Sequence, residues 1–212
     1  MAEPADLLTM TQWLSPAFPV GSYAYSHGLE AVIAAGEVAD AAGLAEWLED
    51  VLRFGAGRSD AVLLAAAHRG EDADRLAQVA RAMAASKERW QETEDQGRAF
   101  ADAVSAATGQ GLTPRPYPVA VGVAARRLAL DTGTVAGLYL HAIASNLVGC
   151  AVRFVPLGQG AGQAVLAGLH GAIVAVAAEA VDTPVEAIAT SVPRADLAAM
   201  RHETLDVRIF RT

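Results

Sequence analysis

Residues 86–108, SKERWQETEDQGRAFADAVSAAT, form the longest amphipathic stretch in the N-terminal half of the chain. Trp90, Thr93, Gly97, Phe100 and Val104 recur in alternating steps of three and four, the spacing of one face of an α-helix packed in an antiparallel bundle. Ser86 stands where an N-cap belongs, and Gly97 in mid-seam costs about 1 kcal/mol in helix propensity while letting a neighbour approach closely. This segment predicts an all-α fold.

The flanking chain reads the same way. Leu7, Met10 and Leu14 lie at helical spacing before Ser15-Pro16-Ala17-Phe18-Pro19 forces a stiff loop. A helical stretch is expected from Gly21-Ser22 through Leu29 and Ile33 to Gly36. Asp40 is the expected cap of a helix striped by Leu44, Trp47, Leu48, Val51 and Leu52, ending at Gly55 and Gly57. Asp60 to Arg69 and Asp72 to Ala85 read as two short helices split by Gly70, and Gly109 to Gly111 with three nearby prolines as a loop. Segments 118–130, 134–154 and 162–181 are apolar on nearly every face and are expected at the bundle centre or in a subunit interface, with the charged helices wrapped around them. The reading is one helical domain over 1–212, of about ten helices, with a tail at 200–212.

Composition agrees with this reading and narrows the function. Hydrophobic residues make up 53% of the 212, with mean hydropathy +0.27, enough for a real core, and aromatics are only 6%, weak for a β-protein. The net charge of −8 opposes binding to nucleic acid. A single cysteine, Cys150, excludes an internal disulfide or a CxxC site and suits a reducing compartment, so the cytoplasm is expected. The opening MAEPADLLTMTQWL has no basic n-region. The apolar runs 136–152 and 161–181 are broken by His141, Asn146, Gln163, His170 and Glu179, which marks buried helices rather than membrane spans.

Catalytic motifs are missing from the sequence. The one lysine, Lys87, follows no glycine-rich stretch, so a Walker A loop is excluded. Gly158-Gln159-Gly160-Ala161-Gly162-Gln163 puts glutamine where a dinucleotide turn needs its third glycine, and reads as an interhelical loop. Ser15, Ser22, Ser26 and Ser145 lack a GxSxG setting. His27, His68, His141, His170 and His202 are far apart in sequence, with no HxxxH pair, so no metal ligands are assigned. His27 and Glu30, one turn apart, fit a hydrogen-bonded or solvated contact better than a metal site, with transient metal contact left open. Cys150 reads as a small buried hydrophobe, and Glu88, Glu92, Glu94 and Asp95 as a solvated face. No catalytic residue and no cofactor is assigned.

Three segments carry a resemblance. Trp13-LSPAFPVGSYAYSHGLE-Ala31, Ser145-NLVGCAVRFVPLGQGAGQ-Ala164 and Met200-RHETLDVRIFRT resemble, in order and spacing, the signatures of the UreF family of urease accessory proteins. Departures are mild: Asp206-Val207 stands where tyrosine-serine is common, and Ile209 and Thr212 replace leucine and serine. The resemblance implies an all-helical homodimer that joins the UreD (UreH) scaffold and the nickel-binding GTPase UreG on the urease apoprotein during nickel insertion. It also implies modulation of that GTPase, as activator or as checkpoint. In these segments Tyr23, Ser26, His27 and Glu30, and in the tail Arg201, His202, Glu203, Arg208, Phe210 and Arg211, are the candidate partner contacts. Tyr23 follows a rigid two-proline loop, as an interface anchor does, though core packing would fit it equally. The tail, with Leu205, Val207 and Ile209 alternating against polar residues, is expected to be disordered or loosely docked until a scaffold binds it. A small helical enzyme using His27, Glu30 or His141, or an interaction module unrelated to urease, would also fit the composition.

Overall fold

A computed structural model describes residues 3–212, and every described regular element is helical. Eleven α-helices follow in order: α1 Pro4–Trp13, α2 Leu29–Ala34, α3 Ala41–Phe54, α4 Ala56–Arg69, α5 Ala73–Ala82, α6 Lys87–Thr108, α7 Tyr117–Ala125, α8 Thr132–Phe154, α9 Gln159–Gly168, α10 His170–Asp182 and α11 Pro193–His202. Short 3-10 turns occur at Ser22–Ala24 and Val185–Ala187.

Local chemistry sets most boundaries. Asp40, Asp72, Ser86 and Asp131 each cap a helix by accepting a bond from a first-turn amide, Asp40 from Gly43 at 2.8 Å and Ser86 from Arg89 at 3.1 Å. Proline occupies the first turn of α1, α7 and α11, where its missing N–H costs nothing. Gly70 and Gly109, both with positive φ, terminate α4 and α6.

Three segments fold differently from the sequence reading. The stretch from Ser22 to Gly36 is not one helix: a 3-10 turn is followed by a break at Tyr25 to Gly28, and α2 starts only at Leu29. The break is stabilised by long-range bonds to α8 and the tail, which no local pattern reveals. Gly57 does not end a helix but lies inside α4. The apolar run 162–181 divides at Leu169 into α9 and α10, bent by 40°.

The centre of the bundle is α4, where every residue from Ala61 to Ala67 is buried, packed by α3, α7, α8 and α10. It lies among all three apolar segments rather than outside them, because its run of small residues permits close approach on all sides. The seam of α6 faces α7, and a Cβ on Gly97 would lie 1.8 Å from the Arg115 carbonyl oxygen, so only glycine fits there. Fully buried Phe100 meets Trp13, Phe18 and Tyr117 at ring-centroid separations of 6.0, 5.8 and 5.7 Å. By analogy with other buried aromatics its truncation to alanine would cost about 3–5 kcal/mol. Helix α8 is long and apolar enough to cross a bilayer, but half of its most apolar window is buried, against α4, α10 and α9, as in the core helix of a bundle.

Candidate functional site

The broken backbone between Tyr25 and Leu29 is the floor on which the tail lies. Gly28, at φ +79°, leads into α2 and passes so close to α11 that a Cβ there would meet the Ala199 nitrogen at 2.6 Å. His27 takes the left-handed conformation at φ +55°, a sparsely populated region for a non-glycine residue. That geometry turns the Ser26 amide and hydroxyl toward the tail, and both donate to the Thr212 carbonyl, the amide at 2.8 Å.

Two buried glutamates hold the tail in place. Glu30, on α2, accepts the backbone amides of Ile209 at 2.9 Å and Phe210 at 3.1 Å and meets His202 Nε2 at 3.0 Å. Burial alone would raise its carboxyl, but the bonds from His202, Ile209 and Phe210 outweigh that and hold it below the ordinary glutamate range. Glu92, on α6, receives His27 Nε2 at 2.7 Å, Gln96 at 3.0 Å, the Thr212 hydroxyl at 2.9 Å and the Arg89 guanidinium. Burial again opposes ionisation, yet Arg89 and then His27 bring its carboxyl down to about 2. Each carboxylate is thus a saturated acceptor in a dry setting, the condition under which a buried charge is tolerated.

Further contacts complete the docking. His202, fully buried, lies between Glu30 and Glu88, with Nδ1 2.8 Å from the latter. Arg208 pairs with Glu88, and the Arg211 amide donates to the Ala24 carbonyl at 2.8 Å. Phe210 is buried 5.2 Å from the Phe154 ring, with the Arg153 guanidinium 5.8 Å over its face. From below, α8 pins the same loop: Asn146 donates to the carbonyls of Ser22 and Tyr25, and Cys150 to that of Tyr25. Burial pushes the Cys150 thiol up to about 12, in keeping with a structural cysteine.

The ten candidate contacts therefore separate into two sets. Ser26, Glu30, His202 and Phe210 are buried and satisfied inside the chain, and largely buried His27 is bonded to Glu92. Tyr23, Arg201, Glu203, Arg208 and Arg211 reach the surface. Tyr23 is 62% exposed, which removes the core-packing alternative, and Val207 and Ile209 are exposed at 82% and 69%. The expectation of a loosely docked tail is corrected: the Ile209 and Phe210 amides donate to buried Glu30, the Thr212 carbonyl accepts from buried Ser26, and Phe210 is buried. His27 and Glu30 do not share a helical face either, because the backbone reverses at Gly28 and sends them to different partners.

Sequence reasoning missed Glu92, assigned to a solvated face. It lies eight residues before Phe100, with Gln96 midway, so the buried stripe of α6 extends two turns back and takes in both polar residues. Glu88 pairs with the tail, while Glu94 and Asp95 are both half-buried. Among the described residues no group of three or more His, Cys, Asp or Glu side chains is arranged to hold a metal ion.

What stands out is a surface: one exposed aromatic, Tyr23, on a loop clamped by the tail and by α8, with the Arg211 backbone bonded to that loop and two apolar residues, Val207 and Ile209, exposed on the docked tail. The UreF family model matches residues 38–170. Curated relatives cover nearly the whole chain, including the two terminal segments outside that match. A urease accessory protein UreF of Cereibacter sphaeroides strain KD131 is 60% identical over 208 residues, spanning 98% of this chain and 99% of its own length. Proteins of the same name from Jannaschia sp. strain CCS1 and Paracoccus denitrificans strain Pd 1222 are 58% and 50% identical, over 97% and 98% of this chain and 94% and 97% of their own lengths.

Proposed function

The chain belongs to the UreF family of urease accessory proteins, and from that premise we propose that it is a non-catalytic cytoplasmic adaptor in urease maturation. In this reading it joins a UreD (UreH) scaffold and the GTPase UreG on the urease apoprotein and assists nickel insertion.

The observation that carries the proposal is the clamped loop bearing Tyr23. An exposed aromatic on a loop held by tertiary bonds loses little entropy on binding, and Val207 and Ile209, exposed on the docked tail and flanked in sequence by Arg208 and Arg211, add apolar area. A partner with an apolar pocket and flanking carboxylates matches that surface. Self-association is part of the same reading. The open groove between α8 and α10, of about 520 Å³ and lined mainly by apolar atoms, includes Val174, which is 67% exposed, and a second copy seated there would cover it.

Co-expression with candidate UreD-type and UreG-type proteins, followed by size-exclusion chromatography, tests the adaptor role. A ternary complex that forms only when this chain is present is the expected result; partners that assemble equally well without it would refute the reading. Sedimentation at micromolar concentration tests the homodimer, which a monomer would exclude.

A further inference from the structure

The five histidines, dispersed in sequence, have distinct situations in the fold. His27 faces Glu92, His202 faces Glu30 and Glu88, and His68 is bonded to the Thr132 hydroxyl. The other two come together: half-buried His141 on α8 and exposed His170 at the start of α10 have ring centroids 5.6 Å apart. Among the described residues the hydrogen bonds and ion pairs of histidine end with the first three, so a proton on His141 or His170 has no counter-ion. Both rings line the open groove between α8 and α10, whose one other ionisable side chain, Asp131, caps α8 and accepts from the Thr134 amide and hydroxyl. Ten residues of helix put it about 15 Å from His141 along the axis, beyond a Debye length of about 8 Å. Charged groups on the elements packed there are turned elsewhere: on α4, Arg58 to Glu179, Asp60 to Tyr139 and Arg69 to Glu71, and on α2, Glu30 to His202. Arg153 of α8 lies over Phe210, Asp182 is at the opposite end of α10, α9 carries no charge, and α1 and α3 add none to the groove. The lack of charge suits a second copy, because two chains of net charge −8 meet most readily through an uncharged patch, which an isologous contact places on both sides.

We propose that His141 and His170 make self-association through this groove pH-dependent, the dimer forming while both rings are neutral and dissociating as they gain protons, a proposal that rests on the homodimer reading above. Covering the groove takes both imidazoles out of water, which penalises the charged ring, and two charged rings 5.6 Å apart repel each other besides. In the single chain burial, and then His170, already lower the His141 pKa, and a second copy strengthens the first of these causes. The sign follows from this: protons bind better to the separated chains, so the dimer is tightest above the ordinary histidine value of about 6.5 and weakens as pH falls below it. For one ring that must shed its proton to be covered, a pH one unit below that value weakens association about tenfold, and a two-fold dimer covers each ring twice. Net charge alone predicts the opposite trend. The sequence pI is about 5.0, so acidification brings the chain toward zero net charge and reduces repulsion between copies.

Sedimentation velocity of the full chain at about pH 8 and about pH 5.5, at equal ionic strength, is the first test, alongside the double variant His141→Gln/His170→Gln. The expected result is a dimer whose dissociation constant rises at least about tenfold at the lower pH, and a variant dimer that changes by less than about threefold. A parent dimer equally tight at both values would overturn the pH dependence and leave the dimer itself standing. A monomer at both would overturn the dimer reading and this inference together. A variant that loses its dimer in acid as the parent does would place the acid sensitivity in other groups and overturn the role of the two rings. Because the substitutions fall within the interface, proton uptake by the unsubstituted chain is the independent measurement, by dilution calorimetry near pH 6 in two buffers of different ionisation enthalpy. Uptake of about one proton or more per dimer dissociated is expected, and none would equally overturn the inference.

Discussion

Glu30 Oε2 lies 3.0 Å from His202 Nε2 and 3.1 Å from the Phe210 amide, so one buried carboxylate fixes both the end of α11 and the strand-like tail that follows it. The other His202 nitrogen faces Glu88, and carboxylates only accept. The tail and the Gly28 break are two halves of one structure, and the exposed surface bearing Tyr23 depends on both.

Removing Glu30 should release the tail. Glu30→Ala leaves His202 and two amides without their acceptor, and breaking a buried pair of this kind typically costs about 3–5 kcal/mol. A lower melting temperature is expected, together with faster tryptic cleavage at Arg208 and Arg211 and little change in helix content. Unchanged proteolysis would show that Glu30 does not hold the tail.

Deleting residues 209–212 should also lower the melting temperature, since Glu92, Ser26 and Glu30 all lose partners. A tail that merely awaited a scaffold would leave the melting curve intact. By contrast Arg208→Ala removes one partly exposed ion pair with Glu88 and should cost under about 1 kcal/mol. Differential scanning calorimetry of the two variants separates these cases.

Tyr23→Ala should leave stability within about 0.5 kcal/mol, because the side chain is 62% exposed. Pull-down of the UreD-type and UreG-type partners should nevertheless be lost. Retained capture with an unchanged melting curve would remove Tyr23 from the interface.

Stability should fall on acidification. The Glu92 carboxyl is held at about 2, below its ordinary 4.5, so its contribution is fully present above pH 4.5 and is lost as pH falls toward 2. The full shift corresponds to roughly 3 kcal/mol. Glu30, also lowered, acts in the same direction. Urea unfolding between pH 7 and pH 3 should show this decline, and Glu92→Gln should make it shallower. Equal slopes in both proteins would assign the acid sensitivity elsewhere.

Gly97→Ala should destabilise although alanine is the better helix former by about 1 kcal/mol. The new methyl would sit 1.8 Å from the Arg115 carbonyl, so α6 and the segment leading into α7 must separate. A melting temperature equal to or above that of the parent would mean that this contact relaxes freely.

The sequence by itself determined the helical class, most helix starts and the core stripes, because these follow from periods and caps within a few residues. Asp40, Ser86 and the Leu44 to Leu52 stripe are where local pattern places them. It also marked both terminal segments that build the candidate surface. What only the tertiary structure decided was where the polar residues go. Glu92 is buried because Arg89, one turn away on α6, is joined there by His27 from the Gly28 break and Thr212 from the tail, 65 and 120 residues distant in sequence. The stretch from Ser22 to Gly36 breaks because bonds from Asn146, Cys150 and Thr212 satisfy a backbone that helical propensity alone would have kept regular. His141 and His170 likewise meet only where α8 packs on α10. Periodicity reports which face of a helix is apolar; the partner that satisfies a buried charge is chosen by the packing of distant elements, and no local pattern encodes it.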